Sequence, residues 1–397
     1  MISFKEAYDI VLETARGFDD VLVPLSKADG RVLAEDIMAD RDFPPFDRAT
    51  KDGIAIKLLD NEPLEAYVIK GVAAAGTPQL SLEHKHDCFE IMTGAIVPQN
   101  ANAVVMYEHL EIKDGKAKAN RPIAIGQNIH VKGSDEEKGS ILLTKGTLIT
   151  ASEIGVLASV GKTEVLVKRN PKITLFSTGD ELVAVEQIPK MHQIRQSNSH
   201  ALRAALLEQG IASEIVHVID DEGAIKSALI AAMETSDVLL LSGGVSRGKF
   251  DFLPKVLDEL SVQKQFHRVL QRPGKPFWFG VHPNSATTIF GFPGNPTSTF
   301  ANFHVYFMAW LNRNLMQPHS EFQVSLMEDF KNSTDLTRFV RAVVVNYNGR
   351  LQANLVSGNG SGDLTSLTKA NGFIMVEPNQ SITTNDKVTF IPTRKIL

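Results

Sequence analysis

The sequence holds a single cysteine, Cys88, among 397 residues. That excludes an intramolecular disulfide and any zinc site built from several thiolates. Long apolar runs are missing too: the greasiest stretch, His304 to Leu311, is too short to cross a bilayer. The opening residues Met1–Glu6 lack the charged-then-apolar pattern of a secretory signal, so a cytoplasmic protein with no membrane partner is expected. Neither sign of charge dominates, with 41 basic and 46 acidic residues and a net charge of −5. No basic block stands out, which argues against a nucleic-acid partner. Internal repeats and low-complexity tracts are also lacking. What is present is a 43% hydrophobic and 22% charged composition, which excludes global disorder. The length implies roughly two to four domains.

Ser3 to Thr14 spaces Phe4, Ala7, Tyr8, Val11 and Leu12 as a helix, with Ser3 and Glu6 forming a capping box. A second short helix is expected from Ser26, carrying Ala28, Val32 and Leu33. The prolines of Asp42-Phe-Pro-Pro-Phe-Asp47 then end helical structure. Short β-rich runs follow, Tyr67–Lys70, Ala103–Met106 and Ile141–Leu143, separated by Gly, Pro and Asn turns. Helical spacing returns over Thr150–Ser159, with a strand at Val165–Val167. These shifts predict a discontinuous N-terminal/linker domain (1–42 and 144–170) around an inserted β-rich domain (43–143). Residues 171–314 alternate strand and helix: strands at Lys172–Phe176, Ser213–Ile219 and Asp237–Leu241, and helices at Ser197–Gln209, Glu222–Thr235 and Phe252–Leu260. Such alternation predicts parallel strands with ligands at their carboxyl ends. Residues 315–397 are β-rich again and read as a small barrel. The fold class is α/β plus β, multidomain.

The informative clusters fall after the strands of the α/β segment. They are Ser177-Thr-Gly-Asp-Glu181, Asp220-Asp221, Ser242-Gly-Gly-Val-Ser246 with Asp251, and Phe292-Pro-Gly-Asn-Pro-Thr-Ser298. Glycines there permit close backbone approach to a phosphate. Carboxylates beside a phosphate call for a cation between them, so Asp220, Asp251 and Glu181 suggest Mg2+. The plainer alternative makes Asp220 and Asp251 helix N-caps. Gly244-x-Ser246-x-Gly248 is a weak match to a hydrolase nucleophile elbow, since Ser246 lies several residues beyond its strand. Arg272-Pro-Gly-Lys-Pro276 reads as a stiff loop presenting two cations to an oxyanion, a phosphate or a tetrahedral oxometalate. His84-x-His86-x-Cys88 offers soft ligands without a fourth partner and reads as an exposed polar strand. Asp52 reads as a turn residue before Gly53, and Lys132–Gly139 as a solvated hairpin tip.

Taken in order, these motifs resemble the molybdopterin molybdenumtransferases, the MoeA and gephyrin E-domain family, from end to end. The pattern runs through Phe46-Asp-Arg-Ala-Thr-Lys-Asp-Gly53, Ile91-Met-Thr-Gly94, Gly126-Gln-Asn-Ile129, Phe176–Leu182, Ser242–Ser246 with Asp251, Pro273–Pro276 and Pro293–Ser298. The resemblance implies the last step of molybdenum cofactor synthesis, in which adenylylated molybdopterin and molybdate give the cofactor and AMP with a divalent cation. It implies a homodimer of four-domain subunits, with a three-layer, MogA-like α/β pterin-binding domain, the inserted β-domain and a C-terminal β-barrel-like domain. Carried over by position, Asp220 and Asp251 would hold Mg2+, and Glu181 and Lys275 would be catalytic. Asp52, Thr93 and Asp135 would act in the same cleft from the other subunit. Ser177, Thr178, Gly179, Asn198, Ser242, Gly243, Gly244, Arg272, Ser298, Arg338 and Ser361 would bind substrate, with Lys275, Arg272, Ser298, Arg338 and Ser361 around molybdate.

The chain departs from the family pattern at three places. Lys51 stands for a methionine, Ile54 for an aromatic residue, and Arg195-Gln-Ser-Asn198 for Tyr-Asp-Thr-Asn. A scaffolding paralogue, a tungstate-using enzyme and a pterin adenylyltransferase are the alternative readings. Asp220, Asp251 and Lys275 favour catalysis over scaffolding, and the β-rich tail favours metal insertion over adenylylation.

Overall fold

The structure, a computed structural model, describes residues 1–59, 62–245, 251–317 and 322–394. The chain divides into two compact units, one of residues 1–22, 30–32 and 166–397, the other of residues 23–29 and 33–165.

The first unit is built on a six-stranded sheet ordered Ser213–Val218, Ile173–Thr178, Val238–Ser242, Thr288–Phe292, Trp278–Val281, Gln263–His267. The first four strands run parallel and the last two return antiparallel. Ile173–Thr178, Val238–Ser242 and Thr288–Phe292 are buried at every residue, as expected when helices cover both faces of a parallel sheet. Side chains alternate between those faces. Leu175, Leu240 and Phe290 join one core with Leu202, Leu206, Ala7, Val11, Phe307 and Trp310. Phe176, Leu239, Leu241 and Ile289 join the other with Ile225, Leu229, Val256 and Leu257. The parallel strands expected from the strand–helix alternation are present, in the three-layer α/β arrangement that the family resemblance implies.

Local chemistry explains the element ends. Ser3 accepts from the Glu6 N–H at 3.2 Å while Glu6 accepts from the Ser3 N–H at 2.8 Å, starting the helix Phe4–Glu13. The helix Glu222–Thr235 matches its sequence reading residue for residue. Two strands run one or two residues further than expected, so Ser177, Thr178 and Ser242 end strands instead of following them. A π-helical turn, Phe303–Phe307, interrupts the last helical run of this unit.

Residues from 322 form a closed five-stranded barrel of Thr337–Tyr347, Arg350–Leu355, Phe322–Leu326, Lys387–Pro392 and Gly372–Val376, the last pairing back with the first. Its core is Val324, Leu326, Ala342, Val344, Ile374 and Phe390. Gln271–Arg272, from the α/β part, extends the barrel sheet by pairing parallel with Thr337–Arg338.

The second unit carries another six-stranded sheet, ordered Ala103–Met106, Gly53–Ile56, Asp87–Ile91, Tyr67–Ala73, Lys116–Ala119, Leu110–Lys113. The helix expected from Ser26 is absent. A single 3-10 turn, Leu25–Lys27, is formed, and Gly30 adopts φ +73°. Cys88 is fully buried beside Ile54 and Tyr67, its thiol pushed up to about 12 by burial. His84 and His86 lie exposed ahead of its strand, so this trio is not an exposed polar strand and its thiol is inert core. Among the described residues no helix is long and apolar enough to cross a membrane.

Candidate functional site

A cavity of about 880 Å³ opens in the first unit at the carboxyl ends of its parallel strands. Ser177, Thr178 and Gly179 reach it from the first strand, and Ser242, Gly243 and Gly244 from the third. Pro293–Ser298 leads from Thr288–Phe292 into the next helix. The loops pack so tightly that a Cβ on Gly243, at φ +96°, would sit 2.8 Å from the Thr178 carbonyl oxygen. Only glycine fits there. Asn198 staples the loops together: its Nδ2 donates to Ser242 Oγ at 2.9 Å and to the Gly294 carbonyl at 2.7 Å. Among the described residues Thr178 Oγ1 is buried with no hydrogen-bond partner, a donor and acceptor that a ligand can use.

The acidic residues gather on one side of the sheet, where Ile173–Thr178 and Ser213–Val218 end. Asp220 is half-buried; burial pushes its carboxyl up, and Asp180, Glu181 and Asp251 add repulsion. Asp220 does not serve as a cap: Asp221 caps Glu222–Thr235 by accepting from the Ala224 N–H at 2.8 Å. The N-cap alternative for Asp220 is thereby set aside. Asp251 lies two residues before the helix Leu253–Glu259. Ser246, of the elbow-like match, lies outside the described residues.

The basic residues gather at the other side, on the loop between Gln263–His267 and Trp278–Val281 and on the barrel. The loop 272–276 rests on a buried polar network. Gln271 Nε2 donates to the Pro273 carbonyl at 3.0 Å and to Asn302 Oδ1 at 2.7 Å. Asn302 Nδ2 donates to the Gly274 carbonyl at 3.2 Å, and the Tyr306 hydroxyl donates to Gln271 Oε1. Gly274, at φ +86°, leaves room for Asn302, whose Oδ1 a Cβ would meet at 2.2 Å. Arg272 lies in register with Arg338, and burial together with repulsion from Arg272 lowers the Arg338 guanidinium from its usual range. Lys275 lines the same wall. Ser361 Oγ accepts from Asn295 Nδ2 at 3.0 Å, tying the barrel loop 358–362 to the segment that carries Ser298.

A charged cavity residue was missed in the sequence. Arg341 lines the wall beside Arg338; its Nη1 donates to Ser366 Oγ at 2.5 Å, and Gly358 lies against its guanidinium. Three residues apart, Arg338 and Arg341 should face opposite sides of a regular strand. The burial alternation of Thr337–Tyr347 slips at Val340–Arg341, and no sequence signal marks that slip.

The remaining candidates lie on the second unit. Asp52 Oδ1 accepts from the Thr93 N–H at 2.6 Å and the Thr93 hydroxyl at 2.7 Å, bonds that lower its pKa. Asp135 bonds to His130 at 2.8 Å. The short strand Arg48–Ala49 links these groups: it pairs with Ile129–His130, and the Ala49 carbonyl accepts from the Gly94 N–H.

Comparison with known proteins agrees with this arrangement. Residues 2–161 match the MoeA N-terminal region (domain I and II), residues 174–313 a probable molybdopterin-binding domain, and residues 323–393 the MoeA C-terminal region (domain IV). A molybdopterin molybdenumtransferase from Synechocystis is 36% identical over 387 residues, spanning 96% of this chain and 97% of that one. Another from Bacillus subtilis is 35% identical over 87% of this chain and 83% of its own. A crystal structure of a molybdopterin biosynthesis MoeA protein from Pyrococcus horikoshii superimposes with a TM-score of 0.83 at 29% identity, covering 100% of both chains. Fold, motif order and full-length similarity agree, and the chain belongs to the molybdopterin molybdenumtransferase family.

Proposed function

We propose that this enzyme inserts molybdenum into molybdopterin in molybdenum cofactor biosynthesis, taking adenylylated molybdopterin and molybdate and releasing AMP. The observation that carries the reading is the placement of charge within one cavity, with Glu181, Asp220 and Asp251, and Arg195 beside Glu181, toward one side of the sheet and Arg272, Lys275, Arg338 and Arg341 toward the other. A substrate with phosphates at one end and an oxyanion-accepting group at the other fits such a wall.

The cationic side suits molybdate, a tetrahedral dianion, because charge-assisted bonds from fixed guanidinium and ammonium groups discriminate shape as well as charge. Ser298 and Ser361 add hydroxyls there. The loops at Ser177–Gly179 and Ser242–Gly244 bind the substrate, with Thr178 Oγ1 facing it and Asn198 holding them in place.

The acidic side fits Mg2+. Asp220 is held among Asp180, Glu181 and Asp251, which disfavour its charged form until a cation arrives. Among the described residues no group of three or more His, Cys, Asp or Glu is arranged to hold a metal alone. Mg2+ needs no such group, since it takes one or two carboxylates and completes its shell with phosphate oxygens and water. Asp220 and Asp251 would hold it, and when bound it neutralises charge on the phosphate oxygens. Glu181 stays near them as a third carboxylate.

Asp52, Thr93 and Asp135 belong to this proposal as residues that a second copy contributes, making the working form a homodimer with two shared clefts. The division into N-terminal/linker, inserted β, α/β and barrel domains belongs to it as well. The test is turnover of adenylylated molybdopterin with Mg2+ and either molybdate or tungstate, reading AMP. Release that requires molybdate is expected. No release with either oxyanion would remove the reading, and release with tungstate alone would change its metal.

A further inference from the structure

In the second unit one histidine is wired between two charged groups. Antiparallel pairing sets His130 opposite Arg48. Arg48 Nη2 lies 3.1 Å from His130 Nδ1, and His130 Nε2 lies 2.8 Å from Asp135 Oδ1. A guanidinium has donors only, so Nδ1 must accept. The ring proton is then on Nε2 and is donated to Asp135.

The backbone around Asp135 is already pinned. The Phe43 carbonyl accepts from the Asp135 and Glu136 N–H groups at 2.9 and 3.1 Å, and the Pro44 carbonyl accepts from the Gly133 N–H at 3.0 Å. Asp47 Oδ1 accepts from the Lys132 N–H at 2.7 Å. The side chain is another matter: Asp135 is 54% exposed, and among the described residues His130 is its one hydrogen-bond partner. An exposed carboxylate samples several rotamers unless something holds it. Here the holder is itself held by Arg48.

We infer that His130 is a positioning residue, a neutral imidazole locked by Arg48 that fixes the Asp135 carboxylate and links it to the Arg48 charge. This rests on the reading of Asp135 as a catalytic group. A direct readout is the 15N spectrum of the His130 ring in the full-length protein at neutral pH. One protonated nitrogen, Nε2, and one bare nitrogen, Nδ1, are expected. A doubly protonated ring or a proton on Nδ1 would overturn the assignment.

The functional arm is a double-mutant cycle on AMP release. His130→Ala should lower kcat about tenfold with KM for adenylylated molybdopterin changed less than about twofold, and His130→Gln, whose amide can still donate to Asp135, should recover at least half of the loss. In an Asp135→Asn background His130→Ala should cost nothing more. Equal activity of His130→Ala and parent, or an undiminished tenfold cost in the Asp135→Asn background, would overturn the inference while leaving Asp135 in place. Full activity of Asp135→Asn would instead remove the reading of Asp135, and this inference with it.

Discussion

The two sides of the cavity are built differently. The cationic side is set from beneath: Gln271 and Asn302 are fully buried, Tyr306 is buried with them, and together they tie down the loop that carries Arg272 and Lys275. The acidic side is held differently. Asp220 and Glu181 stand at loop ends, the Asp220 N–H donates to Asp180 Oδ1 at 3.0 Å, and the charges that act on the Asp220 carboxyl are other carboxylates. A buried, satisfied polar network costs little to keep and fixes geometry, which suits a small rigid oxyanion. A cluster of like charges is complete only with its counter-ion and substrate, which suits a metal that arrives with phosphates.

The largest expected effect lies on the acidic side. Asp220→Ala should lower AMP release by roughly two to three powers of ten, the range expected when charge neutralisation of several kcal/mol is lost. The fold should survive, because Asp221 caps the helix and not Asp220. Unchanged circular dichroism with AMP release within a factor of three of the parent would return Asp220 to a structural role.

A middle-sized effect probes the support of the cationic side. Asn302→Ala removes the bonds to Gln271 and the Gly274 carbonyl, leaving buried polar groups unpaired at about 1–3 kcal/mol. A lower midpoint in urea and a roughly tenfold higher molybdate concentration for half-maximal turnover are expected. A lower midpoint with unchanged molybdate dependence would show that the network supports the fold and not the oxyanion loop.

The smallest effect concerns assembly. Asp52→Ala and Asp251→Ala proteins, each nearly inactive, should recover about a quarter of parental activity after unfolding, mixing and refolding, because about half the dimers would be mixed and each would have one intact cleft. Confirmed mixed dimers as inactive as their parents would contradict the shared cleft.

Much of this was legible in the sequence, for physical reasons that differ by element. The capping box Ser3–Glu6, the helical spacing after Thr150 and the helix Glu222–Thr235 are specified by local chemistry, and the structure contains them. The strand-end clusters were legible because parallel α/β topology gathers strand ends in one place. The expected helix at Ser26 failed because Ala28, Val32 and Leu33 mimic helical spacing while being buried by contacts distant in sequence, and Gly30 turns the chain between them. Asn198, expected to bind substrate, lines the cavity, and its amide nitrogen also ties the loops together. Asp52 read as a turn residue before Gly53, and no residue type announced the bonds it takes from Thr93. Arg341 depended on a slip in strand alternation that residue types do not announce.

The most direct measurement crosses the two sides. AMP release should be titrated against Mg2+ and against molybdate in the parent, Asp251→Asn and Lys275→Ala proteins. The account predicts that Asp251→Asn raises the Mg2+ requirement at least tenfold and leaves the molybdate requirement within about twofold, and that Lys275→Ala does the reverse. If both variants shift the same requirement, or each shifts both equally, the cavity does not have separate cation and oxyanion sides.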